Sequence, residues 1–186
     1  MAVRRSKNEA VPSGRQPSRL RVYSDPVQHA LIAAAVAAPL IPRAGGRVVM
    51  TSVAAALVID VDHAVAARSL RVRATTSLPM RPRSHSLLTA LGTGALVTRV
   101  AGPLHGWAAF GGLASHLMHD AGDSAAPTPL FWPFARERQL GRRWQLAVTT
   151  GLVLGSLAVS RAAGAAWRGS SAADGGGGAA PLQRTA

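Results

Sequence analysis

Apolar residues gather into five runs along this chain, at about 28–42, 47–60, 86–101, 104–120 and 144–161, with proline-, glycine- or arginine-rich joints between them. Each run is nearly free of charge, which predicts helices buried in a bilayer or against one another. Most are shorter than the roughly 20 residues that span a bilayer. The two that carry His and Asp are broken by polar side chains, so some segments are expected to be re-entrant or packed against neighbours. The last, Trp144 to Ser160, is the cleanest span, with Trp144 and Trp167 as anchors at opposite interfaces. The expected fold is all-α, a multi-helix integral membrane protein of four to five apolar helices.

Local signals set the limits of these runs. Asp25-Pro26 reads as a helix start, with Asp25 at the N-cap and Pro26 at the first helical position. That helix is expected to end near Pro39 to Pro42, followed by a short turn over 43–47. Residues 1–24 are rich in Arg, Ser, Pro and Gly without an apolar period, and predict a disordered basic tail. Residues 25–161 form the helical membrane domain. Residues 162–186 are Ala, Gly and Ser with a run of four glycines, and predict an unstructured tail.

Composition sharpens the picture. Of 186 residues 48% are hydrophobic and 16% charged, with mean hydropathy +0.17, yet the formal net charge is +13. The charge is segregated. Basic residues crowd the first 25 positions, the stretch from Arg68 to Arg83 and the stretch from Arg136 to Arg143. Under the positive-inside rule this places those loops and the N-terminus together on the cytoplasmic side of a bacterial-type inner membrane, with two crossings between each pair. The basic tail fits anionic lipid headgroups. No recognition motif accompanies it, so no specific nucleic-acid partner is expected. The chain has no cysteine, which excludes disulfides and thiolate metal sites.

The candidate chemistry lies in the polar residues that interrupt the apolar runs. The chain has six histidines, and four of its eight acidic residues sit beside them: Asp60 and Asp62 next to His63, then Asp120 and Asp123 after His116 and His119. Nitrogen and carboxylate oxygen together suit zinc, manganese or another divalent first-row ion. His116, His119, Asp120 and Asp123 are spaced three, four and seven apart, so on a helix they share an arc of about 100°. Unpaired charge is costly in such a setting, and a cation offsets it. A hydrogen-bonded polar network that fixes helix packing is the plainer alternative. His29 lies four residues after Asp25 and faces the same way, although capping is the ordinary role for Asp25. Arg81 and Arg83, before a helix start at Ser86, make an anion pocket or simply a basic loop. His105 is roughly 16 Å along the helix from His116, too far to share an ion, and reads as interfacial.

Taken in order, these groups resemble the YdjM-type (LexA-regulated) family of membrane-bound proteins described as metal-dependent hydrolases. The resemblance runs from about residue 27 to 135. His29 matches an early helical His, and 58–63, ending in Asp60-Val-Asp62-His63, matches a Leu-Pro-Asp-x-Asp-His segment. Arg81 to Ser86 is similar to His-Arg-Gly-x-Thr-His-Ser, and 112–120 to Gly-x-x-Ser-His-x-x-x-Asp. Leu130 to Pro133 is similar to Leu-Leu-Trp-Pro. Met80 stands where the family has a His and Pro82 where it has a Gly, which implies one ligand fewer or a substitute in His119.

The resemblance implies a divalent metal, zinc first and manganese as the alternative, held by His29, Asp60, His63, His85, His116 and Asp120. His119 and Asp123 are alternative ligands or partners of ligands. Asp62 would take the proton from an attacking water, and Arg81 and Arg83 would hold substrate phosphate. A lipid-like or small-molecule phosphoester is the expected substrate. The competing expectations are a non-catalytic metal-binding membrane protein, structural or sensing, and a cation transporter with ligands spread through the membrane depth.

Overall fold

The computed structural model describes residues 19–71, 74–75, 78–123, 126–134 and 140–174, with side chains described at 25–71, 74–75, 78–122, 126–134 and 140–167. The described residues are helical with connecting turns. Helix α1 spans Arg19–Ala37 and continues through a 3-10 turn, Ala38–Leu40, into α2, Ile41–Ala44. Then follow α3 (Arg47–Val58), α4 (Val61–Ala66), α5 (Leu87–Ala101), α6 (Pro103–Asp123) and α7 (Arg142–Asp174).

Helix α6 is the axis. It packs on α1, α3, α5 and α7, and from Gly111 to Ala121 every residue is buried. Small residues let the neighbours come close. A Cβ on Gly112 would collide with the Ser52 carbonyl oxygen of α3, and one on Gly106 with the Thr98 hydroxyl of α5. Ser52 Oγ in turn donates to the Ala33 carbonyl across 2.9 Å, tying α3 to α1.

The surrounding helices present apolar side chains outward: Leu31, Met50, Val58, Leu96, Val100 and Leu154 are all at least half exposed. Three stretches, Asp25–Ala44, Arg47–Ala66 and Arg142–Trp167, are long and apolar enough to cross a membrane, and Leu87–Ala101 is a shorter apolar helix. An apolar envelope around a more polar axis is the arrangement a bilayer favours. Trp144 and Trp167 are both exposed, and 23 helical residues place them about 34 Å apart, close to a hydrocarbon thickness.

Two expectations about helix limits change. Helix α1 begins before Asp25, at Arg19, and Pro26 lies inside it. A single missing N–H does not end this helix, and the Asp25 carboxylate turns to histidines instead of capping. Helix α7 runs past 161 to Asp174, because the Ala-rich sequence there has high helix propensity and Gly164 packs against the Arg43 guanidinium. His105 Nδ1 lies 2.8 Å from Thr51 Oγ1 on α3. Residues 1–18 and 175–186, and part of the basic stretch 136–143, lie outside the described residues.

Candidate metal centre

The ligand-type side chains come from four places in the chain and meet at one end of the bundle. Helix α1 supplies Asp25 and His29 at that end, and the α3–α4 junction supplies Asp60, Asp62 and His63. The loop before α5 supplies Arg81, Ser84 and His85, and the second half of α6 supplies His116, His119 and Asp120. Local structure holds each group. Ser86 caps α5 by accepting from the Thr89 amide, which fixes His85 one residue upstream of the cap. The segment after α6 pins the same loop: the Leu87 amide donates to the Leu130 carbonyl across 2.9 Å, and the Arg81 amide to Pro127 across 3.2 Å. Leu130, from the Leu-Phe-Trp-Pro stretch, is buried while Phe131 and Trp132 stay partly exposed.

Four atoms define a cage at the centre. Asp60 Oδ1 lies 3.8 Å from His85 Nε2 and 3.5 Å from His116 Nε2. Asp120 Oδ2 lies 3.6 Å from His85 Nε2 and 3.2 Å from His116 Nε2. Most of these separations are too long for hydrogen bonds, which cluster at roughly 2.7–3.2 Å. They match the edge of a tetrahedron around an ion with ligands about 2.0–2.1 Å away, which is about 3.3 Å. His85 Nε2, both His116 ring nitrogens and Asp120 Oδ2 are buried without a hydrogen-bond partner. Such groups are costly inside a protein unless something binds them. The donor set therefore fits a divalent cation.

The residues around the cage orient it. Asp62 Oδ2 accepts from Ser84 Oγ and lies 3.1 Å from His85 Nδ1. A carboxylate behind an imidazole fixes the tautomer that turns Nε2 outward as a lone pair. Burial pulls the His85 imidazole down, but the Asp60 and Asp62 carboxylates outweigh it and hold His85 above its ordinary value. Asp62 Oδ1 faces His63 Nδ1 at 3.0 Å and has no hydrogen bond. Arg81 Nη2 lies 2.9 Å from Asp120 Oδ1, and its Nη1 donates toward His63 Nε2 at 3.1 Å.

Every described residue expected at the site except Arg83 is in this cluster. His63 is in it but outside the four-atom cage, since its Nε2 is taken by Arg81. His29 faces the other oxygen of Asp120, Oδ1, at 3.5 Å. Arg83 is exposed and takes part in none of the ion pairs that join the cluster. The Asp123 side chain lies outside the described residues. Asp25, whose ordinary role at Asp-Pro is capping, is also a member. Its Oδ1 lies 3.7 Å from His29 and 3.6 Å from His119, and the signal that could have found it is the i, i+4 spacing to His29.

A crevice of about 260 Å³ adjoins the cluster. Helices α3 and α5 both lean on α6 but scarcely touch each other. The gap is lined by Ala55, Val58, Ile59, Thr89, Thr93 and Leu113, and ends at Asp62 and Ser84. The protein-family comparison matches the model described as YdjM inner membrane protein over residues 25–176, which takes in every helix of the cluster. No curated protein and no solved structure matches the chain.

Proposed function

The chain belongs to the YdjM inner membrane protein family, and from that premise we propose that it is a membrane-bound, metal-dependent hydrolase acting on a lipid-like phosphoester. The observation that carries this reading is the convergence of Asp60 and Asp120 on His85 and His116, with its buried unpartnered nitrogens. Zinc suits two imidazoles and two carboxylates, with manganese as the alternative. A divalent ion in such a site supplies Lewis acidity and a water whose pKa falls to near 7.

The chain's own residues do the rest. Asp62 Oδ2 holds His85, while Asp62 Oδ1, which faces His63 Nδ1 at 3.0 Å, accepts a proton. Arg81, already against Asp120, meets a phosphate oxygen at the cage. Arg83, exposed on the same loop, adds positive charge at the mouth. The crevice between α3 and α5 supports the lipid-like substrate. Its apolar walls suit an acyl chain whose headgroup reaches Asp62 and Ser84.

The helices run alternately toward and away from the cluster, which supports a multi-pass topology. The cluster end carries the start of α1 and the described parts of both basic stretches, which supports a cytoplasmic face for it under the positive-inside rule. One observation favours a second reading. Four protein ligands suffice to close a tetrahedral shell, as in structural sites, which would make this a non-catalytic metal-binding membrane protein. A transport pathway is disfavoured because the only described histidine away from the cluster, His105, is tied to Thr51.

The test is elemental mass spectrometry of the detergent-purified protein beside His116→Ala and Asp60→Ala, followed by phosphate release from a lipid phosphomonoester in mixed micelles. The expected result is bound zinc or manganese in the wild type, lost in both variants, with hydrolysis that a chelator removes and zinc restores. Bound metal without turnover of any lipid phosphoester would shift the assignment to the structural reading. No metal after reconstitution would overturn both.

A further inference from the structure

The two oxygens of Asp120 face different partners. Oδ2 looks into the cage with His85 and His116, whereas Oδ1 lies 3.5 Å from His29 Nε2. Beyond His29 are Asp25 and His119, and the ligand atoms of these three residues lie within 4.8 Å of one another. We propose that the cluster holds a second divalent cation, in a cage of Asp25, His29 and His119, with Asp120 bridging it to the first. This rests on the reading of the first cage as a metal site.

Three observations support the second cage. Its separations, 3.7 Å from Asp25 to His29 and 3.6 Å from Asp25 to His119, exceed hydrogen-bond lengths and lie within a few tenths of an ångström of a tetrahedral edge. His29 is 2% exposed, and its ring stacks on His116 at 3.8 Å between centroids, with His119 edge-on at 4.6 Å. His29 Nδ1 and both His116 ring nitrogens are buried without hydrogen bonds, so this stack concentrates more nitrogen donors than hydrogen bonding uses. His119 is also held from behind, since its Nδ1 lies 2.8 Å from the Gln145 side-chain amide of α7.

Arg81 does not preclude the bridge. It uses one lone pair of Asp120 Oδ1, and an ionised carboxylate offers about four acceptor sites in all. The two cages differ in access. The Asp25 side chain is 50% exposed, whereas that of Asp120 is 1% exposed, so the second ion is the more readily exchanged of the two.

The full-length protein, purified in detergent and stripped with a chelator, is titrated with zinc alone, and bound metal is counted after dialysis. The double variant Asp25→Asn/His119→Gln is run in parallel, with circular dichroism to check the fold. Two equivalents in the wild type and one in the double variant are expected. One equivalent in the wild type, whether kept or lost in the double variant, overturns the second cage and leaves a single-ion site. No bound zinc in the wild type overturns the first cage as well. A measurement independent of any variant uses manganese alone. Electron paramagnetic resonance of the loaded wild type is expected to show an exchange-coupled pair, and a spectrum of only isolated six-line manganese overturns the bridge.

Discussion

The two ends of the bundle are built from the same helices but treat their polar groups in opposite ways. At the far end polar side chains find hydrogen-bond partners within and between helices. His105 meets Thr51, Thr98 Oγ1 donates to the Gly94 carbonyl at 2.8 Å, and Trp107 Nε1 donates to Ser156 Oγ at 2.8 Å. At the cluster end, ring nitrogens of His29, His63, His85 and His116 are buried without hydrogen bonds. An interior that satisfies its polar atoms at one end and leaves them open at the other separates two tasks. The far end supports the fold, and the cluster end gives up stability that a ligand restores.

The strongest way to break that separation is at the far end. Gly106→Leu puts a side chain into the Thr98 hydroxyl and the Gly94 carbonyl. Overpacking of this kind costs about 3 kcal/mol or more where backbone must move. The expected outcome is a large loss of thermal stability in detergent, partly recovered by zinc, with metal stoichiometry unchanged in the folded fraction. A stable variant that has lost its metal would mean that the ends are not separable.

A smaller effect sharpens the cluster side. Asp62→Asn removes the carboxylate behind His85 and is expected to weaken zinc affinity about 10–100-fold without unfolding the protein. The same contact sets a pH dependence. His85 is held above its ordinary value, so its proton must leave before Nε2 can bind an ion. Metal uptake therefore releases protons, and affinity falls as pH drops through that raised value. Isothermal titration in buffers of different ionisation enthalpy measures both, and unchanged affinity in Asp62→Asn would remove Asp62 from this role.

The smallest effect is expected from His105→Leu, which loses one partly buried hydrogen bond, about 0.5–1.5 kcal/mol. Thr51 keeps its bond to the Arg47 carbonyl at 3.1 Å, so nothing is stranded. Thermal melts should shift slightly while bound zinc stays constant. A loss of zinc would extend the site along the full length of α6.

Much of this organisation is legible in the chain. The apolar runs mark α1, α3, α5, α6 and α7, and the spacing of His116 to Asp120 places both on one face of α6. The Asp60-Val-Asp62-His63 segment announces itself as ligand chemistry at a helix end. What the sequence could not carry is which ligand meets which. His119 and Asp120 are neighbours in the chain, yet His119 faces Asp25 and Gln145 while Asp120 Oδ2 faces His85. That division arises from how α1 and α7 seat against α6, a matter of tertiary packing. Asp25 was masked by a local rule, since Asp-Pro usually opens a helix. The continuation of α7 was masked by composition, since Ala, Gly and Ser read as a tail until alanine's helix propensity and the Arg43 contact at Gly164 are weighed.

The wide sequence separation of the converging residues has a topological consequence. An ion shared by Asp60 and Asp120 would close a loop of about 60 residues, and one shared by His29 and Asp120 a loop of about 90, each removing closure entropy from the unfolded chain. A protein with no cysteine cannot form such ties covalently. Here the cross-link would be ionic, formed only once distant helices have met, and a chelator would undo it without breaking a bond of the chain.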